Sequence, residues 1–267
     1  MAAARPLALV TGASSGIGLE LARQFAQHGF DLVVCADHEA IEAAAADLRS
    51  SGGEVRAVRA DLRTPAGVEE LYDAVTADRR PLAAAALNAG IGRGGGSFVD
   101  TDLSDHLDVI RLNVVGTVHL AKLILNDMVD RDTGRMLITS SMVAAMPGAY
   151  QVTYNGSKSF LQSFVLGLQN ELHDSAVTVT ALMPGITETP FFTRAQMDDA
   201  LITKVPKDDP ARVAQQGFDA LLKGRRRVVG GSPLNRLTAA VNAILPDAAK
   251  AQLQAVLSKP SKPRRKR

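Results

Sequence analysis

The sequence has few of the residues that support covalent or metal-based architectures. Its 267 positions contain one cysteine, no tryptophan and only 4% aromatic residues. The single thiol, Cys35, excludes a disulfide framework and any zinc site built from several cysteines. No run of 18 apolar residues is present, which excludes an ordinary membrane-spanning helix. A chain of this length can bury a full core without cross-links, and we therefore expect a globular protein.

Charge is unevenly distributed along the chain. The formal net charge is +2, but the last nine residues, Lys259 to Arg267, contain six Lys or Arg and no acid. The remaining chain therefore has an acidic balance, which argues against a nucleic-acid-binding domain. The first residues, MAAARPLALV, have neither the length nor the charge pattern of a signal peptide and predict a first β-strand. We therefore expect a cytoplasmic location and no nucleic-acid partner.

Short apolar runs alternate with segments of helical periodicity. Strands are predicted at 7–10, 31–36, 55–60, 82–87, 136–139, 177–182 and 227–229. Helices are predicted at 19–28, 39–49, 64–77, 101–130 and 150–173. This alternation predicts an α/β fold: a single doubly wound, Rossmann-like parallel sheet of about seven strands with helices on both faces.

The first predicted strand leads into a glycine-rich turn, T-G-A-S-S-G-I-G, from Thr11 to Gly18. Glycine permits a tight turn and a close approach of the backbone to a pyrophosphate, and the following helix offers free N–H groups. The spacing is G-x-x-x-G-x-G rather than the commoner G-x-G-x-x-G. The turn predicts a dinucleotide site; the alternative is a glycine-rich loop without a ligand.

Polar residues also follow the next three strands. Asp37 lies 25 positions after Gly12, where an acid commonly binds the adenosine ribose. Asp61 follows the third strand, and Asn88-Ala89-Gly90 follows the fourth. On position alone each could be a helix cap or a turn. Together they lie at the carboxyl edge of the sheet, where open α/β sheets bind ligands.

Two side chains with acid–base chemistry share one predicted helix. Tyr154 and Lys158 are four residues apart and therefore lie on the same face. A cation beside a phenol lowers the phenol pKa from about 10, which would allow proton transfer near neutral pH. Ser141, thirteen residues before Tyr154, and Asn113, within an apolar helical stretch, are unremarkable alone. Without a catalytic role, Tyr154 and Lys158 would be a solvated pair on a helix surface. Ser141 would be an ordinary residue at a strand end, and Asn113 an asparagine packed between helices.

The ordered combination of these motifs resembles the short-chain dehydrogenase/reductase family over roughly residues 5–230. The resemblance is carried by T-G-A-S-S-G-I-G, Asp61, N-A-G, Asn113-Val114-Val115-Gly116, Ser140-Ser141, Y-N-G-S-K and P-G-I-T-E-T.

The resemblance implies a catalytic tetrad. Tyr154 would be the general acid/base, and Lys158 would lower its pKa and hold the nicotinamide ribose. Ser141 would hydrogen-bond the substrate oxygen. Asn113 would order its helix and a water that links Lys158 to solvent.

The resemblance also implies a nicotinamide cofactor. The expected binding residues are Gly12, Ser14, Ser15, Gly16, Ile17, Gly18, Asp37, Asp61, Leu62, Asn88, Ala89, Gly90, Tyr154, Lys158, Pro184, Gly185, Ile186, Thr187 and Thr189. We expect NAD to be preferred over NADP, because Asp37 can accept from the ribose 2′-OH but would repel a 2′-phosphate. Ser15 and His38 supply no permanent cation nearby. NADP stays the alternative.

The expected reaction is oxidation of a secondary alcohol or reduction of a ketone. The residues after the P-G turn resemble the family's substrate lid, at about 190–206. Apolar residues in the lid and between Ser141 and Tyr154 indicate a hydrophobic substrate: Phe191, Phe192, Met197, Leu201, Met142, Met146 and Tyr150. Two alternatives are a non-catalytic redox sensor and a sugar-nucleotide epimerase. The complete Ser-Tyr-Lys set argues against the first, and the absence of a large C-terminal substrate domain disfavours the second. The five histidines show no metal-ligand spacing, so no metal site is expected.

We divide the chain into a catalytic and dinucleotide-binding domain at 1–230, a helical extension at 231–258 and a disordered basic tail at 259–267. An apolar stripe at Leu234, Leu237, Val241, Ile244 and Leu245 predicts a helix, which Pro246 ends. The stripe could cover the substrate pocket, a subunit partner or, with the basic tail, an anionic membrane surface. The alternative is a helix packed on its own domain. The family resemblance implies a homodimer or homotetramer with a small-molecule substrate.

Overall fold

The expected single parallel sheet is confirmed. A computed structural model of the chain describes residues 5–94, 96–198 and 200–260. Seven parallel strands lie in the order β3-β2-β1-β4-β5-β6-β7. They are β1 (Leu7–Thr11), β2 (Asp31–Ala36), β3 (Val55–Arg59), β4 (Leu82–Leu87), β5 (Gly134–Thr139), β6 (Val177–Pro184) and β7 (Arg227–Gly230).

The order of the strands reverses between β1 and β4, which creates a crevice at the carboxyl ends of these strands. Such a switch point is where an open α/β sheet binds its ligand.

The helices are α1 (Gly16–Gln27), α2 (Ala40–Arg49), α3 (Pro65–Thr76), α4 (Leu103–Ile110), α5 (Thr117–Asp130), α6 (Val152–Glu171), α7 (Phe191–Arg194), α8 (Pro210–Leu222), α9 (Pro233–Ile244) and α10 (Asp247–Ser258).

The sheet is buried on both faces because alternate residues of each strand enter different cores. Leu7 and Leu9 of β1 pack in a cluster with Leu120 of α5 and Leu161 of α6. The intervening residues Ala8 and Val10 face a second cluster that contains residues of α1 and α8. Continuous apolar strands are therefore the sequence signature of this doubly covered sheet.

Two features of the helices differ from the sequence prediction. The expected helix at 101–130 is interrupted by a π-helical segment, Arg111–Gly116, between α4 and α5. Apolar periodicity does not reveal such an insertion, because the side chains on both sides keep helical spacing. Helix α8 was not predicted, although Asp209 caps its first turn and Pro210 occupies its first position, a common start signal.

The C-terminal segment forms α9 and α10 on either side of Pro246. The predicted apolar stripe of α9 does not enter the core, since Leu237, Val241 and Ile244 are exposed while the polar Asn242 is buried. Lys259 and Pro260 follow α10, and the rest of the expected basic tail lies outside the described residues. Among the described helices, none has the length and apolarity needed to cross a bilayer.

Candidate active site

Most of the predicted site residues line one cavity at the carboxyl edge of the sheet. The cavity has a volume of about 630 Å³ and extends from the glycine-rich turn to α9 and α10. Its lining includes Gly12, Ser14, Ser15, Gly16, Ile17, Asp37, Asp61, Leu62, Asn88, Ala89, Gly90, Ser141, Tyr154, Lys158, Pro184, Gly185, Ile186, Thr187 and Thr189. Two predicted residues, Gly18 and Asn113, lie outside this lining. Gly18 packs against Gly12 and Asn113 lies beside Gly90, and both Gly12 and Gly90 belong to the lining.

The glycine-rich turn is compact enough that only glycine fits at several positions. Gly12 has φ +67°, and a Cβ there would lie 2.9 Å from the Cα of Ala89. A Cβ on Gly18 would lie 2.1 Å from the carbonyl oxygen of Gly12, so Gly18 packs the turn against α1. Ser15 precedes α1, whose first N–H groups have no partners within the helix. The turn can therefore hold a phosphate anion.

Acidic residues dominate the other end of the cavity. Asp37 lies 3.7 Å from Arg63, which also pairs with Asp61 at 2.8 Å and with Asp108 at 3.6 Å. The hydrogen bond from Arg63 lowers the pKa of Asp61, and the same bond raises the pKa of Arg63. Sequence analysis missed Arg63, because its guanidinium meets residues from three separate segments. The only sequence signal was a cation two residues after Asp61.

A hydrogen-bonded chain connects the turns of the central strands. Thr11 Oγ1 accepts from the backbone N–H groups of Asn88 and Ala89, both at 3.0 Å. The Thr139 hydroxyl donates to Asn88 Oδ1 at 3.0 Å, and Lys158 Nζ donates to the Thr139 carbonyl oxygen at 2.8 Å. The ends of β1, β4 and β5 thus fix the position of the lysine on α6.

Tyr154, Lys158 and Ser141 meet inside the cavity. Lys158 Nζ lies 5.8 Å from the centre of the Tyr154 ring, and that ring lies 5.1 Å from the ring of Phe191. Burial raises the pKa of Tyr154 to about 12, partly offset by a hydrogen bond with Ser141. Burial also lowers the pKa of Lys158 to about 8. The structure therefore does not show the expected lowering of the Tyr154 pKa, because loss of hydration raises it.

Asn113 lies in the π-helical segment and holds the chain that follows β4. Its Oδ1 accepts from the Ile91 N–H at 2.9 Å. Its Nδ2 donates to the Ile91 carbonyl oxygen at 2.9 Å and to Ser157 Oγ at 3.0 Å. A Cβ on Gly90 would lie 3.2 Å from Asn113 Oδ1 and 3.3 Å from Lys158 Nζ. Asn113 therefore fixes the loop beside the lysine, and its expected link to a water stays a prediction.

Comparisons with known proteins agree on one family. The family model for short chain dehydrogenases matches residues 6–200. This chain belongs to the short-chain dehydrogenase family. It is 32% identical over 217 residues to the oxidoreductase UcpA of Salmonella typhimurium, covering 80% of this chain and 79% of that protein.

Two further similar proteins are informative. The NADP-dependent 3-hydroxy acid dehydrogenase YdfG of Salmonella typhi is 30% identical over 181 residues, which is 67% of this chain and 72% of that protein. A short-chain dehydrogenase from Sphingobium yanoikuyae in complex with NADPH has a TM-score of 0.78 and 28% identity, with 91% of this chain and 97% of that chain covered.

The substrate side of this short-chain dehydrogenase is only partly as predicted. Phe191, Phe192, Met142 and Met146 line the cavity. Three other predicted residues do not appear in its lining: Met197, Leu201 and Tyr150. Met197 packs instead in a small buried cluster with Ala195, Ala200 and Ile202, and Leu201 is exposed.

The far wall of the cavity, opposite the glycine-rich turn, comes from residues that were not predicted as site residues, although Leu234 belongs to the stripe for which a pocket cover was one alternative. These are Gln151 before α6 together with Leu234, Asn235, Thr238 and Asn242 of α9 and Leu253, Gln254 and Leu257 of α10. These residues are distant along the chain from the predicted motifs, and they reach the site because the C-terminal helices fold back over the cavity. Among the described residues, no group of three metal-ligating side chains was found.

The contacts of Asn113 predict a stability effect. Asn113→Ala leaves the Ile91 backbone groups and the Ser157 hydroxyl without their partner, and should lower the free energy of unfolding by about 1–3 kcal/mol. Asn126→Ala on the exposed face of α5 is the matched control, with an expected change within about 0.5 kcal/mol. Denaturant unfolding of both variants measures the difference, and equal effects would contradict the structural role of Asn113.

Proposed function

We propose that this short-chain dehydrogenase transfers a hydride between a nicotinamide dinucleotide and a hydrophobic secondary alcohol or ketone. The observation that carries the proposal is the convergence of Ser141, Tyr154 and Lys158 in the same cavity as the glycine-rich turn. The turn supplies phosphate-binding N–H groups, and the three side chains supply the proton chemistry. The aromatic and thioether side chains of Phe191, Phe192 and Met146 give the substrate region an apolar lining.

In the reducing direction, the nicotinamide would supply the hydride that attacks the carbonyl carbon. Tyr154 donates its phenolic proton to the carbonyl oxygen as that oxygen gains negative charge. Ser141 hydrogen-bonds both Tyr154 and the same substrate oxygen, which fixes the direction of proton transfer. The ammonium of Lys158 stabilises the phenolate that remains. Alcohol oxidation uses the same groups in reverse.

The pKa directions favour the proton-donor role of Tyr154. Its raised pKa, about 12, keeps the phenol protonated at neutral pH, as ketone reduction requires. Lys158, with a pKa of about 8, is still mainly charged at pH 7. Alcohol oxidation requires the phenolate, so the oxidative rate should increase with pH in the neutral range.

The acid–base assignment predicts distinct effects of three substitutions. Tyr154→Phe removes only the hydroxyl and should lower kcat by at least about 10²–10⁴, with little change in dinucleotide affinity. Ser141→Ala should lower kcat with dinucleotide binding retained. Lys158→Ala should lower kcat and also weaken dinucleotide binding, because it removes a charge and a ribose contact. Steady-state kinetics and dinucleotide titrations on a panel of ketones and alcohols measure these effects.

The effects should not add in double variants, because the three residues act as one unit. Retention of more than a tenth of wild-type kcat by Tyr154→Phe would contradict the assignment. A wild-type protein that binds dinucleotide but turns over no alcohol or ketone would favour the alternative of a redox sensor.

For the cofactor we propose a preference for NAD over NADP. Asp37 and Asp61 line the cavity, and both pair with Arg63, as does Asp108, which also pairs with Arg111. Three carboxylates therefore face two guanidinium groups. A ribose 2′-phosphate would enter this region against a net negative charge. Two of the similar proteins point the other way, since one is named NADP-dependent and another holds NADPH. The acidic environment of Asp37 is the specific support for NAD in this chain.

The wild type should show a higher kcat/KM with NAD than with NADP. Asp37→Asn removes the charge at constant size, and like-charge contact at about 4 Å costs around 1–4 kcal/mol. The variant should therefore gain about 5-fold to 10³-fold in relative kcat/KM for NADP. Asp47→Asn is the matched control, because Asp47 is also exposed but pairs with Arg23 outside the cavity. A wild-type preference for NADP would overturn this assignment.

We also propose that the protein is a homodimer or homotetramer, as expected for the family. Adjacent helices α4 and α6 expose apolar side chains that a second subunit could cover: Leu103, Leu107, Ile110, Phe160 and Leu166. The cytoplasmic location, the absence of a nucleic-acid partner and the domain boundaries stay predictions.

A further inference from the structure

The far wall of the cavity contains three buried amide side chains that the proposed reaction does not use. Asn242 of α9, Gln254 of α10 and Gln151 before α6 are 3%, 2% and 4% exposed, and all three line the cavity. We call them the amide cluster. Burial of a polar group costs free energy unless it is hydrogen-bonded, so their partners are informative.

Asn242 has little to bond within the protein. Its Nδ2 donates to the Met146 sulfur at 3.3 Å, and a thioether is a weak acceptor. In the residues that the structure describes, no donor reaches Asn242 Oδ1. The apolar residues of α9 are exposed around it, so the helix buries an amide in preference to Val241 or Ile244. This orientation directs the Asn242 amide to the cavity, where a bound ligand can reach it.

The two glutamines are held in place by one hydroxyl. Gln151 Nε2 and Gln254 Nε2 both donate to Ser258 Oγ, each at 2.9 Å. Ser258 is 1% exposed and lies at the end of α10. Within the described part of the chain, the Oε1 atoms of both glutamines accept no hydrogen bond. The serine therefore orients two amides whose carbonyl oxygens are available to a ligand.

The position of the cluster relates it to the reacting atoms. Gln151 immediately precedes α6 and lies three residues before Tyr154, so the two residues are within one helical turn of each other along the chain. Met146 contacts Asn242 in the amide cluster, and Phe191 packs on Tyr154 at the reacting end. Apolar side chains therefore lie beside both the amide cluster and the reacting atoms. A substrate held at Tyr154 would place an apolar body along this wall and a more distant group at the amides.

We propose that the amide cluster is a subsite for an uncharged hydroxyl group at the end of the substrate distant from the carbonyl. The inference rests on the proposed function and names its substrate class: bulky apolar ketones that carry a second, remote hydroxyl. A hydroxyl both donates and accepts, as an amide does, and can satisfy Asn242 Oδ1 or a glutamine oxygen. A carboxylate fits less well, because no Lys or Arg bonds any of the three amides among the described contacts. Apart from Lys158 at the reacting end, Arg194, which is exposed, is the Lys or Arg of the lining that could serve a carboxylate instead.

Matched ketones test the subsite. The probes are 4-phenylbutan-2-one and 4-(4-hydroxyphenyl)butan-2-one, their homologues with one methylene fewer or more between ring and carbonyl carbon, and 4-(4-carboxyphenyl)butan-2-one. Each is measured for kcat/KM in reduction. Each is also measured for its dissociation constant from the wild-type protein saturated with oxidised dinucleotide, where the ketone binds without turnover.

The hydroxylated ketone should have the higher kcat/KM and the tighter binding in at least one matched pair. Asn242→Leu, which keeps the size but removes the amide, should lower about tenfold the ratio of kcat/KM between the hydroxylated and the unsubstituted ketone. Gln254→Met should also lower the preference for the hydroxylated ketone, and it provides the test if Asn242→Leu does not fold. Leu237→Ala, on the exposed face of the same helix, should leave the preference unchanged.

Equal binding of both members of every pair by the wild type would overturn the subsite, as would an equal loss for both ketones in Asn242→Leu. Preferred binding of the carboxylate probe would also overturn it. Preferred binding of the hydroxylated ketone without any reduction would retain the subsite and refute the proposed function, so the two failures are distinguishable.

Discussion

The structure depends on a buried amine that has no carboxylate partner. Lys158 is 4% exposed, and its hydrogen bond goes to the carbonyl oxygen of Thr139. Among the described residues no acid forms an ion pair with it. An unpaired charge in such an environment is costly, which is why its pKa falls to about 8. The cavity thus holds a cation that gains most when negative charge appears beside it, and Tyr154 is the group placed to develop that charge.

The fold provides this arrangement through the edge of the parallel sheet. Parallel strands end on the same side, so Thr11, Asn88 and Thr139 can bond to one another although they are far apart in sequence. The same turns form the dinucleotide end of the cavity. Binding groups and proton-transfer groups are therefore positioned by a single hydrogen-bonded network.

The sheet and the location of the site could be predicted from sequence because both depend on local patterns. Continuous apolar strands and turn motifs identify the seven strands and the edge at which Gly12, Asp37 and Asn88 lie. The π-helical segment around Asn113 could not be predicted, since the residues on both sides keep helical spacing and the Asn113 contact with Ile91 is tertiary. Arg63 was missed because its three acidic partners come from separate segments.

The two largest differences between the sequence predictions and the structure concern the pKa of Tyr154 and the packing of the C-terminal helices. A lysine four residues from a tyrosine predicts a lowered phenol pKa, but in the folded protein burial is the stronger effect. The apolar periodicity of α9 leaves open what its Leu–Val–Ile stripe covers, and the structure exposes Leu237, Val241 and Ile244 while it buries Asn242. Both outcomes depend on which surfaces the rest of the chain covers, and a local pattern does not contain that information.

Loss of hydration in the cavity keeps the proton on Tyr154 until negative charge develops beside Lys158 during the reaction. The chain has three tyrosines and no tryptophan, so ultraviolet difference titration of the phenols is unobscured by indole absorbance. Wild type and Tyr154→Phe should be titrated side by side without ligand. We expect no ionisation assignable to Tyr154 below the ordinary tyrosine pKa of about 10. A phenolate present in the wild type near pH 8 and missing from the variant would contradict this expectation.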